Sequence, residues 1–359
     1  MTATKIQDIL FPAAVVGSMP RPDYVRDLIG GDVPLSEADY SRRMDNAVRY
    51  IVSLQEQAGL DIVSDGEWRR KSYIGVIAEL AHGFEVSVNP SDGRPWTIVT
   101  DRLAPKNSGF IAREASFLNA ATSRPFTVAL PSPGLLGERM WDPVRSKKAY
   151  PTREDFVKAC VPILRQEIEL LAQENAAIIQ IDDPHICLFV DESVRNSYDD
   201  VDAALDFAVA MVNDTVEDCA EIKTAVHLCR RAGARARGEA SFAGEYSTIL
   251  KHLNRLNVNH LTMEFTTAGS GDFDILGKLR EDFGIGLGCV STDPGIIDSP
   301  EVIVARVERA LDHIGPERIT LNPDCGFAPG SAAKISIDEV YQKLKNETEA
   351  AKQLRARYS

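Results

Sequence analysis

Near the end of the β-branched run IKTAVHLC, His227 and Cys229 stand two residues apart and offer an imidazole and a thiol. Alternation along an extended segment points both to the same side, as chelation requires. Glu264 in LTMEFT and Cys325 in NPDCGF add a carboxylate and a second thiol, each where a predicted strand runs into a loop. Two thiolates, one imidazole and one carboxylate complete a tetrahedral Zn2+ shell. If the four meet, the chemistry is metal-assisted work on a soft atom, and a substrate thiol fits it best. Each residue also has a plainer reading. The His-x-Cys pair alone reads equally as a buried cysteine beside a satisfied histidine, and Cys325 as a small core residue. Glu264 resists that reading, because a carboxylate ending an apolar strand needs a partner or a metal to offset desolvation. A displaced strand would make it a surface glutamate. Cys160, Cys187, Cys219 and Cys289 fall in helical or strand patterns and read as structural.

Positioning such residues requires several strands ending at one place. Short β-branched runs at 13–18, 61–67, 126–130, 177–183, 222–229, 260–265, 284–291 and 318–325 alternate with helical patterns at 36–58, 152–174, 199–216, 244–256, 273–282, 299–313 and 336–357. Ser36 and Thr152, the latter with Asp155 three residues on, mark helix starts. Eight strands with helices between them and no break in composition predict an α/β fold. The expected form is a single eight-stranded β/α (TIM) barrel forming one catalytic domain over residues 1–359. The segment from about 80 to 118 breaks the rhythm, with NPSDGRPW reading as a hairpin tip; it is expected to be an inserted β-excursion after strand two.

Composition narrows the function. The chain has 359 residues, 44% of them hydrophobic, enough for a sizeable core. A formal charge of −13 disfavours nucleic acid as a partner. No apolar run approaches the roughly 18 residues of a membrane span. The N-terminal segment lacks the basic and apolar regions of a secretory signal, so a cytoplasmic enzyme with reduced cysteines is expected.

In a β/α barrel the active site lies at the C-terminal ends of the strands. The predicted ends carry Gly17-Ser18, Asp65 with Glu67, Asp182-Asp183, His227 with Cys229, Glu264, Ser291 to Asp293, and Asn322 to Cys325. His185 follows Asp182-Asp183-Pro184 on the same rim and is a candidate for substrate contact. Arg230, leaving the His-x-Cys strand at the head of RRAGARAR, could hold a substrate anion.

Taken in order, VGSMPRP, SDGEWRR, IQIDDP, HLC, LTMEFT and LNPDCGF resemble the catalytic barrel of the cobalamin-independent methionine synthases over nearly the whole chain. The resemblance implies that His227, Cys229, Glu264 and Cys325 bind zinc, and that Ser18, Glu67 and Asp182 bind homocysteine, the two acids holding its amino group. It further implies a methyltransferase of methionine biosynthesis that holds the substrate thiol as a zinc thiolate and methylates it, with Glu67 and Asp182 serving catalysis. Two positions depart from the family. Ser132 stands near the place of a tryptophan against the methylfolate ring, and Asp298 replaces a histidine thought to help protonate the folate. Short single-domain relatives, some fed by methylcobalamin, and the epoxyalkane:coenzyme M transferases share the VALPSP-like segment. The expected partners are a small thiol and an alkyl donor, with a corrinoid protein as methyl source and a homo-oligomer both compatible. An alternative is the coenzyme M type, whose sulfonate would need arginines such as Arg69, Arg70 or Arg230. A metal-free lyase related to uroporphyrinogen decarboxylase would also give eight strands.

Overall fold

The computed structural model describes residues 9–31, 34–88, 95–217, 219, 222–232, 242–328 and 335–359. The strands are β1 Ala81–Val88, β2 Pro95–Pro105, β3 Thr127–Pro131, β4 Ile178–Asp182, β5 Thr224–Leu228, β6 His260–Glu264, β7 Gly284–Val290 and β8 Ile319–Pro323. β3 to β8 form one parallel sheet in chain order. Every residue of β3, β4, β5, β6 and β8 is buried, as expected of parallel strands covered on both faces.

Two expected strands, 13–18 and 61–67, are reduced to single bridges. Ala13 pairs with Leu321 of β8, Ala14 with Ile62, and Val63 with Phe126 just before β3. Carboxylates take up ladder donors here: Asp61 Oδ2 accepts from the Ala13 amide at 2.9 Å, and Glu347 Oε1 from that of Ala14 at 3.1 Å.

The helices follow the sequence where a cap and an amphipathic face coincide. Glu37–Ala58 starts on Ser36 and ends at Gly59, whose φ of 98° suits a left-handed C-cap. Arg153–Leu171 starts on a full capping box of Thr152 and Asp155. Val201–Thr215, Pro300–Leu311 and Ile337–Tyr358 start on Asp200, Ser299 and Ser336. The expected helices at 244–256 and 273–282 are shorter: a tight turn at Tyr246–Ile249 runs into Leu250–Leu253, and Phe273–Lys278 is a 3-10 segment containing Gly277. β1 and β2 pair antiparallel over part of the expected β-excursion; the tip at 89–94 lies outside the described residues. The end of that stretch is helical instead, from Phe110 to Ala121, with Glu167 accepting from the Ile111 amide at 3.1 Å. No helix among the described residues is long and apolar enough to cross a membrane.

Candidate active site

The ends of β4 and β5 place the first two functional side chains side by side, because Asp182 and His227 are register partners in the parallel ladder. His227 Nδ1 lies 3.0 Å from Asp182 Oδ1, which also accepts from Gln180 Nε2 at 2.9 Å. Gln180 is itself tied to the Val16 carbonyl at 3.0 Å. With Nδ1 committed to a carboxylate, His227 Nε2 is the nitrogen left to bind; it is buried without a hydrogen-bond partner. Burial disfavours the imidazolium, but the Asp182 hydrogen bond and charge, with Cys229 and Glu264, raise its pKa to about 9.

Past β5 and β8, Cys229 Sγ and Cys325 Sγ stand 3.3 Å apart, a hydrogen-bonding separation far longer than a disulfide. Hydrogen bonding from Cys325 lowers the Cys229 pKa against the effect of burial, and the Arg231 amide donates to Cys229 Sγ at 3.2 Å. Donor atoms of His227, Cys229 and Cys325 all lie within 4.8 Å of one another. Two thiols, an unpartnered imidazole nitrogen and a carboxylate behind the histidine fit a thiophilic, tetrahedral ion with its supporting hydrogen bond in place.

Glu264, the fourth expected ligand, ends β6 fully buried. Its Oε1 accepts from the Arg230 amide at 2.7 Å, and it lies outside the trio of mutually close donors. Beside it Asp324 receives the amides of Phe265 and Thr266 at 3.0 and 3.2 Å, joining the β8 loop to the end of β6. Burial first, then Glu264, raises the Asp324 pKa to about 7.

Ser18 and Glu67 line the same pocket as Asp182, His227, Cys229 and Cys325. Small residues allow this convergence: a Cβ on Gly17 would lie 2.9 Å from Glu67 Oε1, and one on Gly326 would collide with Ser18 Oγ. Glu67 has a φ of 59°, a strained conformation for a non-glycine residue. It is held there by Arg21, whose Nη2 donates to the Glu67 and Arg70 carbonyls at 2.6 and 2.8 Å, and by its own amide on Asp65 Oδ1 at 2.8 Å. Burial raises the Glu67 pKa; Arg70 opposes this, Asp182 and Asp65 add to it, and the result is about 7.

Arg230 does not serve as the expected anion contact. Its guanidinium donates to the carbonyls of Gly244, Gly269 and Ser270 and lies over the Tyr246 ring, so its role is to brace the loops after β5 and β6. His185 lies outside the pocket lining. Its Nδ1 faces Glu138 Oε2 at 3.4 Å, and Glu138 also receives Arg231. Ser132 is buried as the cap of Pro133–Met140, and Asp298 Oδ2 accepts from the Ser291 amide at 3.0 Å and from Arg306 at 3.2 Å. Most of RRAGARAR falls outside the described residues. Sequence reasoning missed Gln180, Arg21 and Tyr73. Gln180 had a signal, being a polar residue two before Asp182 on an apolar strand; the other two had none.

Residues 11–353 match the family described as the cobalamin-independent synthase catalytic domain. A methionine synthase of Saccharolobus islandicus is 25% identical, covering 96% of this chain and 95% of the relative. One from Sulfurisphaera tokodaii is 24% identical, with 96% and 93% covered. Among solved structures, a B12-independent methionine synthase from Shewanella, in complex with selenomethionine, superposes with a TM-score of 0.78 at 21% identity, covering 97% and 98% of the two chains. A putative counterpart from Listeria monocytogenes gives 0.72 at 20%, with 96% and 98% covered. These structures share the fold, and the family match spans almost the entire sequence: the chain belongs to the cobalamin-independent methionine synthase family.

Proposed function

We propose that this chain is a zinc-dependent methyltransferase that converts homocysteine to its methyl thioether, using one domain built as a closed eight-membered β/α barrel. The bridges at Ala13, Ala14 and Val63 support closure, since they link β8 through residues 13–14 and 62–63 to β3. The antiparallel pair β1 and β2 is then an insertion in the barrel. The observation that carries the activity is the trio of donors sharing one pocket with two carboxylates.

His227 Nε2, Cys229 and Cys325 would hold the metal, with Glu264 at the end of β6 as the fourth ligand or its near neighbour. When bound, zinc supplies a site at which a thiol is kept deprotonated and nucleophilic at neutral pH. Asp182 keeps the His227 Nδ1 proton, which leaves Nε2 as donor. Glu67 and Asp182 bind the amino-acid ammonium, and Ser18 offers its hydroxyl to the carboxylate. In the transfer the sulfur–methyl bond forms while the bond from methyl to donor breaks, its electron pair leaving with the donor.

The coenzyme M alternative is less well supported, because the arginines it needs are committed. Arg70 binds Glu114 and the Ala129 carbonyl, Arg69 binds Asp45 and lies over Phe117, and Arg230 braces carbonyls. A metal-free lyase leaves the paired thiols unexplained.

The test is metal analysis of the purified protein, with thioether formation from homocysteine or coenzyme M using methylfolate, methylcobalamin or a short epoxide. We expect about one zinc per chain, product from homocysteine, and joint loss of zinc and activity in Cys325→Ser. Stoichiometric zinc in that variant, or no product from homocysteine with any methyl donor, overturns the proposal.

A further inference from the structure

One more side chain reaches the pocket, from the turn that follows Glu67. Tyr73 lines the cavity together with Asp182, Cys229 and Cys325, and it is half-buried at the mouth. Both ends of its turn are pinned. Arg70 is clamped by Glu114 and by the Ala129 carbonyl, while Val76 and Ile77 are packed in the core. Between these anchors Lys71 and Ser72 are exposed, and the turn is held locally by the Gly75 amide on Ser72 Oγ at 3.1 Å.

The Tyr73 hydroxyl has no hydrogen-bond partner among the described residues, so no such bond ties the ring down. Burial comes first among the causes that push its pKa well above the ordinary phenol value, and Cys229 and then Asp182 come next. The cavity is about 30 Å³, room for about one water molecule. An amino-acid thiol and the alkyl carbon that its sulfur attacks need several times that volume, and the pinned strand ends cannot supply it. The ring on its exposed turn can.

We propose that Tyr73 is the residue that selects the alkyl donor: its ring shares the pocket with Cys229 and Asp182 and swings out on the turn between Arg70 and Val76, admitting donors according to their bulk. The proposal rests on reading the site as a thiol-alkylating centre and adds a specificity residue to it. Tyr73 takes no part in bond making; it is a steric element beside the reacting sulfur.

Two measurements test it. In the first, zinc-loaded wild type, Tyr73→Ala and Tyr73→Phe are assayed with homocysteine and two methyl donors of contrasting bulk, iodomethane and methylcobalamin. Removing the ring is expected to raise the bulky-over-small ratio of kcat/KM by about tenfold or more, chiefly through KM, a reasonable size for one side chain's effect on selection. Tyr73→Phe keeps the wild-type ratio, because it retains the ring. Equal losses with both donors in Tyr73→Ala, or a Tyr73→Phe that behaves like Tyr73→Ala, overturn the proposal.

The second measurement needs no methyl transfer. Chelator-treated full-length protein is labelled with iodoacetamide or with the bulkier dithionitrobenzoate, and the rates at Cys229 and Cys325 are read by peptide mapping. Tyr73→Ala is expected to accelerate the bulky reagent alone. If the wild type methylates no thiol while this size-dependence holds, the alkylation reading fails and the gate remains. If both reagents respond alike, the gate fails whatever the activity.

Discussion

Replacing Asp182 with asparagine tests the link between the two halves of the site. Asp182 Oδ1 serves two donors at once, His227 Nδ1 at 3.0 Å and Gln180 Nε2 at 2.9 Å. The His227 and Asp182 side chains are only 4% and 12% exposed, so water substitutes poorly for the lost interaction. An asparagine oxygen can still accept, but it carries no charge, and the new amide must find an acceptor in a cavity lined by Glu67 and the thiols. Loss of a carboxylate behind a metal-bound histidine typically costs about 10–100-fold in metal affinity, or roughly 1.4–2.7 kcal/mol. Since one acceptor survives in Asp182→Asn, about tenfold is expected there and about a hundredfold in Asp182→Ala. Zinc competition against a chromophoric chelator reads these values directly. Glu67→Gln is the control: Glu67 makes no hydrogen bond to His227, so its metal affinity should stay within about twofold of wild type while KM for homocysteine rises. Wild-type zinc affinity in both Asp182 variants would refute the assignment of Asp182 as the group that orients His227.

Three further outcomes follow from the geometry. Arg70 gives Nε and Nη2 to Glu114 at 2.9 and 2.7 Å with both side chains 2% exposed, so Arg70→Leu strands a buried charge. A cost of about 3–5 kcal/mol lowers Tm by about 4–7 °C at the unfolding entropy typical of this chain length; calorimetry checks it, and Arg70→Leu with Glu114→Leu should recover most of the loss. Glu67, with its pKa raised to about 7, is ionised above that value and neutral below it. Hence kcat/KM for homocysteine should be flat above about pH 7 and fall about tenfold per unit below it, a limb that Glu67→Gln removes. The Asp298 carboxylate is spent on Ser291 and Arg306, so Asp298→Asn should lower stability by about 1–3 kcal/mol yet leave the pH profile of kcat unchanged. A lost limb in that profile would show that Asp298 moves a proton.

The sequence made the sheet legible where burial on both faces demanded an unbroken apolar run, as in TVALP, IIQID and TAVHL. It did so for the helices where a cap began an amphipathic pattern, as at Thr152 and Ser299. It misjudged 13–18 and 61–67, where pairing is limited to single bridges and the Asp61 and Glu347 carboxylates accept from the Ala13 and Ala14 amides; Glu347 lies more than 300 residues away in sequence. The three donors could be picked out because each ends a strand. The Asp182–His227 bond could not, since it depends on register between strands 45 residues apart. Arg230 misled for a related reason: a guanidinium beside the His-x-Cys strand reads as an anion site until the carbonyls of Gly244, Gly269 and Ser270 surround it.

That contrast separates the two halves of the pocket. The groups facing the thiol, Asp182, His227 and Cys229, stand at or just past the ends of adjacent paired strands, where the ladder fixes their spacing. Such rigidity suits a metal and an ammonium, whose binding tolerates little displacement. Tyr73, which lines the same pocket, comes instead from a turn. Ser132 and Asp298, where the sequence departs from the family, spend their polar atoms on a helix cap and an ion pair outside the pocket lining, which leaves Tyr73 as the turn residue that can respond to what enters. With Ser132 and Asp298 committed elsewhere, discrimination between donors at this turn falls to the shape of the Tyr73 ring. A pocket that chooses by shape can exchange one donor for another through changes in a single exposed turn while the metal-binding strand ends stay as they are.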